Sequence, residues 1–301
     1  MASLAETGPG TRGGAGRRTS AFLHRHRGTQ LGLTLGPPLA WMLVVYLAAL
    51  LLLFLTSFWT VDPYTSQIVR QWGLQNYKEI LTEPTYRIIA LRTVTIAAAV
   101  TVADIALAFP LAYYAARIAK PRARAAIVVA VVLPLWSSYL VRVFAWRTIL
   151  EVGGPAAWFL GLFGLHTRVA FSLVAVWITF VYLWLPFVVL PIYAAIERIP
   201  ASLLEASGDL GARAWPTFRR VIWPLALPGV IAGSIFSFSL TLGDYIAPEL
   251  VGNTQFIGNV IATKVGVSGD LPSAAAFAMV PVAIMAIYLW LAKRAGAFEA
   301  L

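Results

Sequence analysis

The 301-residue sequence contains no cysteine, which excludes disulfides, thiolate metal sites and cysteine nucleophiles. Histidine is scarce, and His24, His26 and His166 lack the spacing of metal ligands. Charge is scarce too: 12% of residues are charged, where a soluble domain carries about a quarter. No Gly-x-x-x-x-Gly-Lys-Ser/Thr occurs, so the chain has no P-loop of its own, and no Gly-X-Y period marks a collagen. Gly8 to Gly13 matches the dinucleotide fingerprint only formally, because no strand pattern precedes it. What is abundant is apolar: 59% of residues are hydrophobic, more than one soluble core could cover. The net charge of +10 fits either a nucleic-acid binder or a membrane protein with basic loops, and the positions of the charges decide between them.

A helix crosses a bilayer with about 20 apolar residues. Six stretches qualify, at about 38–59, 88–116, 125–150, 169–196, 225–247 and 273–292. The first lies within 34 residues between Arg27 and Asp62 that carry no Lys, Arg, Asp or Glu, and the fourth within 28 such residues between Arg168 and Glu197. The second is interrupted only by Arg92 near its start and Asp104 near its middle. The third is uncharged from Ala125 to Val141 and continues amphipathically to Leu150, so its far end could be a separate interfacial helix. The expected architecture is all-α and polytopic, with a transmembrane domain at 36–301 behind a basic tail at 1–35 whose composition reads as disordered. The first apolar run far exceeds the roughly 7–15 residues of a signal peptide, so no cleavage is expected.

Basic residues orient the spans. Arg12, Arg17, Arg18, Arg25 and Arg27 precede the first, and Arg117, Lys120, Arg122 and Arg124 lie between the second and third. Arg198, Arg213, Arg219 and Arg220 separate the fourth from the fifth, and Lys293 and Arg294 follow the sixth. Six spans put these groups on one side, which the positive-inside rule makes the cytoplasm, with both termini there. That side holds 15 Lys/Arg against five Asp/Glu, and the opposite side eight against seven. The excess is therefore an orientation signal, and no nucleic-acid partner is expected.

Residues 200–224 do not read as a plain connector. Ser202 and Glu205 have the spacing of a capping box, so a helix is expected to begin there. Gly211 can adopt the left-handed conformation that ends it. Pro216 suits the first turn of a second short helix running towards Pro224. Leu203, Leu204, Leu210, Trp215 and Phe218 are apolar knobs on this helix–turn–helix, a shape suited to the groove of another protein. Glu205 and Gly211 could equally serve as caps and nothing more.

Glu205-Ala206-Ser207, three residues, Gly211, nine residues, then Val221-Ile222-Trp223-Pro224 resembles the EAA signature of binding-protein-dependent ABC importer permeases. The family pattern is Glu-Ala-Ala, three residues, Gly, nine residues, Ile-x-Leu-Pro. Ser207, Val221 and Trp223 depart from it, and the spacing is kept. Leu133-Pro134-Leu135-Trp136, the run Tyr139 to Trp146, and the run Leu242 to Gly252 are similar to the spermidine/putrescine branch, and the resemblance covers about residues 36–292. It implies a type I importer permease fold whose cytoplasmic coupling helix sits in a cleft of an ATPase. Glu205, Ala206, Gly211, Arg213, Trp215, Pro216 and Phe218 would then form the ATPase contact. It also implies a second homologous permease, an ATPase dimer, and an extracytoplasmic substrate-binding protein. By the same resemblance this chain performs no catalysis and holds no cofactor or metal, ATP and Mg being bound by the ATPase.

Candidate path residues follow from chemistry. A mid-membrane carboxylate costs about 2.5–3.5 kcal/mol, so Asp104 needs a reason. It could attract a cation or meet a partner subunit, or it could bond to Ser/Thr groups or to Arg92 or Arg142. Thr93, Ala97, Thr101 and Ala108 share its face, which should therefore point into the bundle. On the fifth span Ser234, Ser237, Thr241 and Asp244, beside Tyr245, form one face that could line a path or pack. Gly229 and Gly233 start the same helix with close-packing spacing. On the fourth, Trp177, Phe180, Trp184 and Phe187 could hold ammonium groups by cation–π attraction or could simply pack.

The sequence therefore reads as a multi-pass permease subunit of the bacterial inner membrane that imports polyamine. A metal complex, thiosulfate or an aminophosphonate are alternatives on the same machinery. A gradient-driven carrier using Asp104 as its ion site would need no docking helix. A structural anchor would explain neither the polar stripe nor the buried carboxylate.

Overall fold

The long apolar runs become helices, since backbone in a bilayer must satisfy its own hydrogen bonds. The computed structural model describes residues 27–62, 64–162 and 169–294. The expected disorder before Arg27 lies outside the described residues, as do His24, His26, His166 and Arg168. The chain divides after Leu55 into two units. The first holds all but the last residue of α1 (Arg27–Thr56), which begins before the expected tail boundary at 35 and stops short of Trp59. Pro37 and Pro38 sit inside it.

The second unit holds α2 (Gln75–Thr82), α3 (Pro84–Tyr113), α4 (Pro121–Val132), α5 (Tyr139–Leu150), α6 (Pro155–Gly161), α7 (Leu173–Glu197), α8 (Ala201–Asp209), α9 (Ala214–Thr217), α10 (Trp223–Gly243), α11 (Ile257–Gly266) and α12 (Leu271–Arg294). The two-residue strands β1 (Thr60–Val61) and β2 (Ile68–Val69) pair antiparallel before α2, with Thr60 opposite Val69. Among the described residues, Thr34–Thr56, Pro84–Ile118, Leu173–Glu197, Ala214–Gly243 and Leu271–Arg294 are long and apolar enough to cross a membrane.

The expected third span is not one rod. Its halves meet at 97°. After α4 and a 3-10 turn (Leu133–Trp136), Ser137 and Ser138 are extended, and the Ser137 amide and hydroxyl both donate to Pro134 O. Those two residues redirect the chain into α5.

Helices α3, α7 and α10 form the centre. Ala108, Ala112, Val188, Ile192, Ala226 and Val230 bury one another. A second cluster joins Val100, Val143, Phe180, Leu183 and Val251, and a third joins Ile89, Phe238, Ile257 and Phe277. Gly229 and Gly233 let α10 lie directly on α7. A Cβ at Gly229 would stand 2.5 Å from Ala195 Cβ and 2.6 Å from Pro191 O, and one at Gly233 3.0 Å from Val188 Cα.

Among the described residues there are three single π turns: Tyr114–Ile118 ends the helix that follows from α3, Phe218–Ile222 interrupts a continuing helix, and Pro248–Gly252 lies between α10 and α11. The second corrects an expectation. The helix starting at Ala214 does not stop near Pro224 but passes through the π turn into α10, as one segment to Gly243. Trp223 N–H donates to Phe218 O, so the π register carries the helix past Pro224, which has no N–H to offer.

Candidate coupling and substrate sites

The segment at 200–224 forms helix, turn and helix. Its start differs from expectation: Pro200, extended at φ −61° and ψ 137°, is the N-cap of α8, so Ser202 already lies in the first turn and makes no capping bond. Glu205 is exposed and takes no part in a capping box. The end of α8 is as expected in kind. Gly211 has φ +74°, its N–H donates to Gly208 O at 2.8 Å, and Ala212 N–H donates to Ser207 O at 3.0 Å. These two bonds make a Schellman motif.

Two departures from the family pattern find a use in the packing. The Ser207 and Thr217 hydroxyls bond at 2.9 Å, tying α8 to α9. Trp223 joins an aromatic cluster, 5.5 Å from the Phe109 ring and 6.2 Å from that of Phe218. Phe218 also stacks on Trp215 at 5.4 Å. Ala206, Arg213 and Trp215 are exposed and Pro216 and Phe218 half-buried, while Leu210 is 88% exposed. A cavity of about 650 Å³ opens between the two helices, lined by Leu203, Ala206, Leu210, Gly211, Pro216 and Arg220.

The structure separates the candidate path residues into two groups. Asp104, Ser237 and Thr241 are fully buried, with Thr93, Ala97, Thr101 and Ala108 around the same face of α3. Ser237 Oγ donates to Asp104 Oδ2 at 2.6 Å, and Thr241 Oγ1 donates to Ser237 O at 2.8 Å. Neither arginine weighed as a partner reaches Asp104: Arg92 donates to Thr254 Oγ1 at 2.7 Å, and Arg142 keeps two buried nitrogens without a partner. Asp104 Oδ1 also has none. Ser234 accepts from Tyr288 OH at 2.8 Å.

Asp244, Tyr245 and Trp184 form the second group, lining a cavity of about 350 Å³ at the end of α10. Asp244 Oδ1 accepts from the amides of Ile246 at 2.9 Å and Ala247 at 3.1 Å, fixing the turn after α10. Its Oδ2 accepts from Tyr139 OH, across the break of the third span. Tyr139 in turn stacks on Trp184 at 6.1 Å. The aromatic face of α7 is core packing for Phe180, whereas Trp184 reaches the cavity and Trp177 is half-buried. Both Trp177 and Trp184 have a buried indole N–H without a partner.

Sequence reasoning missed Tyr139 as the partner of Asp244, and missed Asn259, whose Nδ2 donates to Tyr245 O at 2.7 Å. It read Arg117 and Arg124 as charge alone, although both make specific bonds to helix ends. The prolines that follow those ends, Pro121 and Pro200, were the available signal.

Comparison with known proteins places this architecture. Residues 108–294 match the binding-protein-dependent transport system inner membrane component family. The inner membrane ABC transporter permease protein YdcU of Escherichia coli (strain K12) is 45% identical over 299 residues, which cover 94% of this chain and 95% of that one. The spermidine/putrescine transport system permease protein PotB of the same organism is 32% identical over 262 residues, covering 84% and 94%. Among solved structures, a chain of a bacterial ABC transporter that imports the acidic polysaccharide alginate aligns with a TM-score of 0.64 at 16% identity, covering 92% of this chain and 99% of its own. A chain from the alginate transporter in complex with its pentasaccharide-bound periplasmic protein aligns at 0.70 and 15% identity, covering 90% and 96%. These structural likenesses establish the fold.

The chain belongs to the binding-protein-dependent transport system inner membrane component family: it is a permease subunit of an ABC importer, multi-pass in the inner membrane and not itself catalytic. An ATPase that binds ATP, a second permease and a periplasmic binding protein complete such a system.

Proposed function

We propose that this permease carries a polyamine of the spermidine/putrescine class into the cell, with both termini in the cytoplasm and residues 200–224 docked on the ATPase. The observation that carries the substrate reading is the cavity in which a carboxylate, Asp244, stands beside Tyr245 and Trp184. A carboxylate and aromatic faces attract ammonium ions, the first by charge-assisted hydrogen bonds and the second by cation–π interaction. The PotB relatives, named for spermidine/putrescine transport, support the same class. In this account Asp104 is an internal pin between α3 and α10, and Asp244 is the group a cation meets, displacing Tyr139 OH as it binds. Membership of the family decides against a gradient-driven carrier.

Asp244→Asn is the test. The amide oxygen can still accept from Ile246 and Ala247, so the turn is kept while the charge is removed. Uptake of labelled putrescine and spermidine at low substrate is expected to fall about tenfold, the loss of one charge-assisted bond, with the amount of protein in the membrane unchanged. Full uptake by the variant would remove Asp244 from the path. Wild-type uptake of thiosulfate or an aminophosphonate, with none of polyamine, would replace the substrate.

A further inference from the structure

Arg117 and Arg124 answer a problem set by two prolines. Pro200 follows α7 and has no N–H to give to Ile196 O, four residues earlier, so that carbonyl keeps a long backbone bond, from Ile199 N–H at 3.2 Å. Ile196 is fully buried and Ile199 is 5% exposed, so carbonyls there cannot turn to water without disrupting the packing. Arg117 Nη2 donates to both, at 2.5 Å to Ile196 O and 2.5 Å to Ile199 O. Its charge also suits the negative end of the α7 dipole.

The other end is built alike. Ala119 N–H closes the π turn Tyr114–Ile118 on Tyr114 O at 2.9 Å, but Pro121 has no N–H for Ala116 O, five residues earlier. Arg124 supplies the donors instead: Nε to Ala115 O at 3.2 Å and Nη2 to Ala116 O at 3.0 Å. Its Nη1 reaches Glu197 Oε1 at 3.2 Å, and Glu197 also accepts from Tyr193 OH at 2.8 Å. That ion pair is partly exposed and contributes little by itself; the bonds to carbonyls fix the geometry. The two arginines thereby join the end of α3, the start of α4 and the last turn of α7, and the last turn of α7 leads through Pro200 into α8.

We propose that Arg117 and Arg124 are positioning residues for energy coupling: they clamp the end of α7 so that a displacement of residues 200–224 moves α3 and α7 as one body. The proposal rests on the assignment of residues 200–224 to the ATPase contact. The complete transporter, reconstituted in proteoliposomes, tests it through uptake per ATP hydrolysed. Arg117→Met retains a long stem and loses every donor, and its coupling ratio is expected to fall about three- to tenfold. Arg117→Lys, which restores the charge, is expected to recover part of the loss. Should Arg117→Met fail to reach the membrane, Arg124→Met removes the donors at the other end and is read in the same way. An unchanged ratio in the assembled variant, with or without a lower thermal midpoint, overturns the proposal and leaves the arginines purely structural. Cross-linking of α8 to the ATPase, measured alongside, separates the two readings. A variant that cross-links normally and couples normally refutes the clamp alone, whereas a wild-type protein that does not cross-link refutes the docking assignment and the clamp with it.

Discussion

Replacing Gly211 with valine is expected to reduce ATP-driven uptake about tenfold or more while the subunit remains in the membrane. The cause is conformational. Gly211 has φ +74°, and a Cβ there would meet nothing within 4 Å, so no clash is involved. A β-branched residue in the left-handed region costs at least about 1–2 kcal/mol. The Schellman bonds of Gly211 and Ala212 hold the angle between α8 and the helix that starts at Ala214. Without them the two helices lose the geometry that a rigid cleft would recognise, while the transmembrane core is untouched. Asparagine tolerates the left-handed region, so Gly211→Asn should retain most transport. Uptake into membrane vesicles, normalised to the amount of permease, checks both. Normal uptake by the valine variant, or equal loss in valine and asparagine variants, would contradict the account.

The second large effect concerns assembly. Gly229→Leu should leave little folded subunit in the membrane, because the new Cβ would start 2.6 Å from a backbone oxygen, Pro191 O, as well as 2.5 Å from Ala195 Cβ. A side-chain rotation cannot relieve contact with backbone, so α10 must move away from α7. Overpacking of this kind costs about 1–3 kcal/mol or more, and here it opens the central packing of the fold. Gly208→Ala is the control: it lies in exposed α8 with open space around its Cβ and should be neutral or slightly stabilising. Membrane levels and the thermal midpoint of the solubilised protein distinguish the two. A Gly229→Leu subunit as abundant and as stable as wild type would refute the close-packing role.

What the sequence made legible follows from how directly physics writes it there. Uncharged runs of membrane length are visible because a bilayer admits little else. Gly211 was legible because few residues can hold a left-handed turn, and Gly229 and Gly233 because their spacing marks a close helix contact. The capping box was misread for a local reason: Pro200 fixes extended backbone one residue before Ala201, so the helix begins ahead of Ser202. The amphipathic far end of the third span hinted at a separate helix, but the place of the break was hidden because counting charges ignores backbone, and Ser137 and Ser138 look like any other uncharged pair. Pairings over long separations were legible at most in kind, as a Ser/Thr partner for Asp104, and not by residue. Asp104 meets Ser237 and Asp244 meets Tyr139 only because packing of α3, α7 and α10 and the 97° break bring them together.

The absence of cysteine makes the central assignment directly measurable, since any thiol introduced into this chain is unique in it. Leu210→Cys, at a position 88% exposed beside Gly211, carries a maleimide-linked photo-cross-linker in the complete transporter. Tyr64→Cys, at a position 95% exposed on the opposite side of the proposed topology, carries the same probe as a control. Light is expected to join Leu210→Cys to the ATPase and Tyr64→Cys to no ATPase. A Leu210→Cys probe that never captures the ATPase, or one that an impermeant thiol reagent blocks from outside intact cells, would contradict the placement of residues 200–224 at the cytoplasmic coupling site.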